Sequence, residues 1–265
     1  MSYITLRATV FWSLELSLRF EYTMNPTYKG SIELLRDFWE GRSASFEKDY
    51  GIRQKGIVKL VKETKVFIDG RSVLELGCGP GIVASFYPKR ADVVGLDFSL
   101  SMLKRAKRRI QKVVLGDSLS LPFQNEVFGA VTCFFMASDY IAKESILREA
   151  FRVVETEGVF LYADYSLSDE HWMLRREIGS ALGEDCNIHI TSDRELSEKL
   201  ENVGFSVDEI LSIRFEADFR LERYVKSRTE FQGLKELNQS LWRRLKTCVA
   251  NGRIEREFIL LIGIK

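Results

Sequence analysis

The sequence predicts a doubly wound α/β fold, in which a mostly parallel sheet is covered by helices on both faces. Three observations carry that expectation. From Ser72 onward, short apolar strands alternate with helical segments, the rhythm a parallel sheet requires. The first strand, Ser72–Leu76, runs into the glycine-rich turn Gly77-Cys78-Gly79-Pro80-Gly81. The second, Asp92–Leu96, ends at Asp97, about 20 residues after Gly77, the separation at which such sheets place a carboxylate beside the turn.

Taken in order, residues 3–22 are rich in Tyr, Ile, Thr, Val, Phe and Trp and have strand-like character. Met24-Asn25-Pro26 breaks that pattern. From Ser31, an N-cap, the spacing of Ile32, Leu35, Phe38 and Trp39 is helical, and a second helix over 52–66 places Ile57, Leu60 and Val61 on one face. Asp69-Gly70 is a turn. Beyond the glycine turn a helix is expected to start, offering its exposed amides to a ligand. Ser99 caps a further helix carrying Met102, Leu103, Ala106 and Ile110. Lys112–Leu115, Val127–Phe135 and Gly158–Tyr165 are the third to fifth strands, with a helix over 143–154. Thr191-Ser192-Asp193 caps a helix that runs to Val203 and stops at Gly204. Val207–Ile213 and Phe258–Ile264 close the sheet. Segments 166–190 and 214–255 fit the rhythm poorly, and the second contains helical stretches including Leu234–Leu245. The division expected is an N-terminal extension over 1–23, with Met24 a candidate natural start, then one domain over 24–265 with a helical insertion around 214–255.

Composition bounds the function. Among 265 residues, 39 Lys and Arg face 38 Asp and Glu, a net charge of +1. That balance gives no general attraction to nucleic acid or an anionic membrane, and points to a small-molecule partner. The basic run Lys104-Arg105 and Lys107-Arg108-Arg109 spreads around a helix and is expected to be a solvated face. Cys78, Cys133, Cys186 and Cys248 are scattered, and with only His171 and His189 beside them they form no metal site. Such thiols suit a reducing cytoplasm. No uncharged apolar run reaches the length of about 18 residues that spans a membrane. Residues 1–22 are interrupted by Arg7, Glu15 and Arg19 and lack the features of a secretory signal.

The chemistry lies in the turn. Its glycines let the chain bend sharply after a buried strand and let a ligand approach the backbone without meeting a Cβ. A dinucleotide fingerprint would need a third glycine where Ile82 stands, and no phosphate-binding G-x-x-x-x-G-K-[ST] occurs. The pattern present is G-x-G-x-G, preceded two positions earlier by Glu75. It resembles motif I of the class I S-adenosylmethionine-dependent methyltransferases. Val93-Val94-Gly95-Leu96-Asp97-Phe98-Ser99 through Met102-Leu103 resembles the family's second motif. Gly116-Asp117-Ser118 and Leu121-Pro122-Phe123 resemble its third-strand loop. Phe128-Gly129-Ala130-Val131 is similar to the approach to strand four, except that Gly129 stands where the family usually has an acid. Glu149-Ala150, Arg152-Val153-Val154 and Gly158-Val159-Phe160-Leu161 follow, and Leu196–Phe205 resembles the later helix ending in Gly-Phe. The resemblance covers about 70–215, with a weaker match over Phe38–Asp49. There Phe46-Glu47 stands where relatives of the ubiquinone/menaquinone type use an aromatic–acidic pair to close the cofactor site.

This resemblance implies a Rossmann-like sheet of seven strands, the last antiparallel and inserted beside the fifth. It implies S-adenosyl-L-methionine as cofactor, bound by Glu75, Gly77, Cys78, Gly79, Gly81, Asp97, Phe98, Met102, Asp117 and Ser118. Asp97 would take the ribose hydroxyls and Asp117 the adenine amino group, with Phe98 and Met102 flanking the ring. No metal is implied. Because the methyl already sits on a sulfonium, the protein's task is to hold a nucleophile in line and exclude water. If a base is needed, the candidates are Asp139, Tyr140, Asp164, Tyr165 and His171. The expected function is methyl transfer to a small-molecule acceptor at O, N, C or S. The alternatives are an RNA or protein methyltransferase, or a non-catalytic protein that binds S-adenosylmethionine.

Overall fold

A computed structural model describes residues 40, 53–136, 143–171, 174, 177, 192–222, 224, 239–247, 249 and 251–265. Helix α1 (Gln54–Ile68) leads into strand β1 (Ser72–Leu76). Then come β2 (Asp92–Asp97), α2 (Leu100–Ala106), β3 (Lys112–Leu115) and β4 (Phe128–Phe134). Helix α3 (Glu144–Val153) is followed by β5 (Val154–Tyr165), α4 (Asp193–Val203), β6 (Ser206–Asp218), α5 (Gln239–Thr247) and β7 (Arg253–Ile264). The strands form one seven-stranded sheet in the order β3-β2-β1-β4-β5-β7-β6. Neighbours from β3 to β5 pair in parallel, and β7 lies antiparallel between β5 and β6, as the resemblance implied.

Both faces are covered, and the two-residue period of the strands decides which side chain meets which layer. Val73, Ala130, Leu161 and Phe258 turn toward α1 and α2, where Ile57, Leu60, Leu103 and Ala106 are buried. Leu74, Leu76, Val131 and Phe160 turn the other way, onto Ile146, Leu147, Leu196 and Leu200 of α3 and α4. The caps expected at Ser99 and Ser192 are present: Ser99 Oγ accepts from the Met102 amide at 3.3 Å and Ser192 Oγ from the Glu195 amide at 3.2 Å.

Two expectations are corrected. Only a single 3-10 turn, Ala84–Phe86, follows the glycine turn where a helix was expected to start. Gly79 and Gly81 adopt φ of +52° and +76°, outside the helical region, and Pro88 then stops the chain before β2 begins. The closing strands are also longer than their apolar runs. β6 extends to Asp218 and β7 starts at Arg253, paired from Ser206↔Ile264 to Asp218↔Arg253 with one register shift between Val207 and Glu209. Both ends of the 214–255 segment are therefore strand. Residues 1–23, the helix expected from Ser31 except Glu40, and Phe46-Glu47 lie outside the described residues.

Helix α1 packs tightly on the end of the sheet at one point. A Cβ on Gly56 would lie 2.3 Å from a Phe215 ring carbon and 2.5 Å from one of Phe258. Phe215 and Phe258 stack edge to face at 4.8 Å, so neither ring can yield without disturbing the other. Gly56→Ala is therefore expected to destabilise the protein by roughly 1–3 kcal/mol through overpacking, despite alanine's better helix propensity. Equilibrium urea unfolding measures this, and a variant as stable as the parent would contradict the packing.

Candidate active site

The site is built at the carboxyl edge of β1 and β2, which run side by side with Leu76 opposite Leu96. Gly77, Gly79 and Gly81 all have positive φ, at +61°, +52° and +76°, a geometry that side chains with a Cβ resist. The turn is tied down internally. The Cys78 amide donates to the Leu96 carbonyl at 3.0 Å and the Gly81 amide to the Cys78 carbonyl at 2.9 Å. The Cys78 side chain turns inward, 2.8 Å from where a Gly95 Cβ would stand, so only its backbone faces the turn.

Asp97 joins the turn to the next helix. One carboxylate oxygen accepts from the Gly79 amide at 2.8 Å and the other from the Ser99 amide at 2.9 Å. Asp97 thus joins the glycine turn to the start of the next helix, where a carboxylate is also favoured by the exposed amides. Glu40 approaches from outside the sheet and accepts from the Ser101 amide at 3.1 Å and the Ser99 hydroxyl at 3.1 Å. Burial alone would raise the Glu40 carboxyl, but these hydrogen bonds outweigh it and hold the group below the usual range.

Beneath the turn the electrostatics are unusual. Glu75 is 2 % exposed, and its Oε2 meets no hydrogen-bond donor. Burial, with the Asp97 charge added, pushes its carboxyl up to about 8. Burial likewise raises Asp97 to about 6, against the lowering effect of the Ser99 and Gly79 amides. Tyr87 and Thr132 close the space below, with hydroxyls 3.1 Å apart. Two buried acids with raised proton affinity, one with an unmet oxygen, therefore lie beneath the turn.

The third-strand loop sits on the same edge, its Gly116 amide donating to the Asp97 carbonyl at 3.1 Å. Asp117 accepts from the Leu119 amide at 3.0 Å, and Ser118 is buried beside it. Glu149 and Arg152 clamp this loop from α3: Leu121 N donates to Glu149 at 2.6 Å, and Arg152 donates to the Phe123 carbonyl at 2.7 Å. On α2, Met102 is buried and the preceding Phe98 half-buried. Where the family usually has an acid, Gly129 is satisfied otherwise. Its amide donates to Ser72 Oγ at 2.9 Å, and its carbonyl accepts from Arg71 at 3.1 Å.

Further along the edge, Asp164 accepts from the Tyr165 amide at 2.8 Å and the Tyr162 hydroxyl at 3.1 Å. His171 packs edge-on against Phe219 and Tyr224. Asp139 and Tyr140 lie outside the described residues. Among the described residues no group of His, Cys, Asp and Glu side chains is placed to hold a metal ion. No helix among them is long and apolar enough to cross a membrane. Sequence reasoning missed Glu40, and it missed Arg256, whose Nε donates to the buried Asp169 at 2.8 Å. Glu40 reaches the site across 61 positions of chain to Ser101 and had no local signal. Arg256 had one: it stands between Ile254 and Phe258 at inward positions of β7, where an arginine is out of place.

The strand order, with β7 turned antiparallel between β5 and β6, is the arrangement that the resemblance to class I S-adenosylmethionine-dependent methyltransferases implied. Residues 74–162 match the family model described as "Methyltransferase domain". An uncharacterised protein of Methanocaldococcus jannaschii is 31% identical over 142 residues, covering 53% of this chain and 55% of that protein. The demethylmenaquinone methyltransferase of Corynebacterium kroppenstedtii is 38% identical over 98 residues, 37% of this chain and 43% of the enzyme. The chain thus spans about half the length of the curated relatives it matches. Among solved structures, a putative methyltransferase from Bacillus halodurans superposes with a TM-score of 0.56 at 22% identity. That alignment covers 78% of this chain and 98% of the other, and shares the fold.

Proposed function

We propose that the protein transfers a methyl group from S-adenosylmethionine to a small-molecule acceptor bound at the carboxyl edge of the sheet. The observation that carries this reading is the buried Glu75 carboxyl, one oxygen unmet, beneath the glycine turn and beside Asp97. The cofactor fits that observation: it carries an α-ammonium and a sulfonium, and buried acids of raised proton affinity favour a cationic ligand. Glu75 would hold the ammonium, and Gly77, Gly79 and Gly81 would let the ligand lie against the backbone. The lone pairs left on Asp97 would take the ribose hydroxyls. Asp117 and Ser118 would meet adenine, flanked by Phe98 and Met102. Cys78 would contribute only its backbone to the turn.

The bound cofactor supplies a methyl group already activated by a positively charged sulfur. What remains for the chain is to hold the acceptor in line and keep water out. Asp164, Tyr165 and His171 stand at the acceptor side of this edge as candidates to take a proton from the nucleophile. Support for a small acceptor comes from the relative whose name specifies demethylmenaquinone, and from the near-neutral net charge of +1. The buried, unpaired thiols of Cys78 and Cys133 fit action in a reducing cytoplasm.

Calorimetry is expected to show binding of S-adenosylhomocysteine and none of NAD, and the reverse result would sink the reading. Incubation of the protein and radiolabelled S-adenosylmethionine with metabolite extracts should place label in the small-molecule fraction. Label in RNA or protein would instead replace the acceptor class.

A further inference from the structure

The carboxyl edge of β5 carries a second charged cluster, apart from Glu75 and Asp97. Arg256 is 1% exposed, and its Nε donates to Asp169, itself fully buried, at 2.8 Å. Its Nη2 has no acceptor. Its guanidinium carbon lies 5.0 Å from the centre of the Tyr165 ring, and that of Arg53, at the start of α1, lies 5.1 Å from the same centre. Two positive groups therefore share one aromatic ring at the end of β5. Glu257, next along β7, does not serve Arg256: it is held by Ser168, Ser212 and Arg214. Asp169 is also shared, since the same oxygen that accepts from Arg256 accepts from the Glu257 amide at 2.9 Å. A buried guanidinium normally has its donors met, because each unmet donor costs the full price of desolvation.

We infer that Arg256 and Arg53, arranged around Tyr165, bind an anionic oxyacid group, a carboxylate or a phosphate, on the methyl acceptor. That this anion belongs to the acceptor rests on the methyl-transfer reading; the anion site itself does not. A planar fork with an unmet N–H matches such oxygens in geometry and charge. The rings of Tyr165, Phe135 and Phe258, packed against one another at 4.8–5.7 Å, supply an apolar wall beside it. The acceptor so defined is an acid with an apolar or aromatic body, its charged end directed at Arg256.

Saturation-transfer NMR with benzoate, phenyl phosphate and neutral benzamide tests this, on protein with and without S-adenosylhomocysteine. At least one anion should bind tenfold or more tightly than benzamide, and the better of the two identifies the acid. Arg53→Met should weaken that anion at least tenfold. The neutral pair R256Q/D169N, which leaves no buried charge unpaired, should abolish it. If that pair fails to fold, Arg53→Met decides. Benzamide binding as well as the anions, no anion binding, or wild-type anion affinity in a folded variant would each overturn the inference. S-adenosylhomocysteine binding is measured on the same samples. Its absence with anion binding intact would sink the methyl-transfer reading and leave the anion site standing.

Discussion

Replacing Asp97 by alanine is expected to weaken S-adenosylhomocysteine binding by tenfold to a hundredfold or more. A hydrogen bond from a ligand hydroxyl to a charged acceptor is worth roughly 1.5–3 kcal/mol, and each 1.4 kcal/mol or so is a factor of ten in affinity. Asp97 also accepts from Gly79 and Ser99, so its loss frees the turn from the start of α2 as well as removing a ligand contact. Asp97→Asn separates the two effects in part. It keeps the shape and one accepting oxygen, which can hold only one of the two amides, and should fall between alanine and the parent. Isothermal calorimetry on folded variants measures the series. Parental affinity in Asp97→Ala would reduce the residue to a helix-start charge.

The second large effect is a pH dependence centred on Glu75. With its carboxyl at about 8, Glu75 is mostly protonated at pH 7 when no cation is near. A ligand bearing an ammonium favours the ionised form, so binding at pH 7 should release a proton. Affinity should then rise by up to about tenfold per pH unit between pH 6 and 8 and level off above. The ligand-free protein should respond the other way. Its folded state holds protons on Glu75 and, up to about 6, on Asp97 that the unfolded chain has already lost. Their stabilising contribution is complete below the unfolded values near pH 4 and disappears as pH rises through 6 and then 8, at roughly 1.4 kcal/mol per proton per pH unit. The melting temperature without ligand should therefore fall from pH 6 to 9, and Glu75→Gln should flatten the upper part of that fall. Calorimetry in two buffers of different ionisation heat reads the proton directly. Equal heats in both buffers, after allowing for dilution, would refute the assignment.

Much of the scaffold was legible because it is local. β1 and its glycine turn, Asp97 at the end of β2 and the Ser99 and Ser192 caps are each written in a few consecutive residues. What escaped was either long-range or disguised. The expected helix after Gly81 came from the usual rhythm of the fold, but two glycines at positive φ and Pro88 left room for only one 3-10 turn. The outer half of β6 was hidden by Arg214, Glu216 and Asp218, whose charges mask the buried alternation of Ile213, Phe215 and Ala217. Glu40 and the pairing of Arg256 with Asp169 are tertiary facts, 59 and 87 positions from their partners, which no short window can contain. Glu75 stood in a recognised motif, yet only burial reveals that one of its oxygens is unmet.

The place of β7 in the sheet governs how the chain is made. Vectorial synthesis delivers β1 to β6 first, at about 5–20 residues per second, while the strand that joins β5 to β6 is still missing. For that interval the edges of β5 and β6 are unpaired, and Phe160, Leu161, Ile213 and Phe215 lack their neighbours on β7 within the sheet. Open edges of this kind recruit other strands, including those of neighbouring nascent chains. The sheet can close only once residues 253–264 have cleared the ribosomal tunnel. Ribosome-held chains that stop before Arg253 should therefore be sensitive to protease and bound by chaperones, while chains extended past the tunnel length resist both.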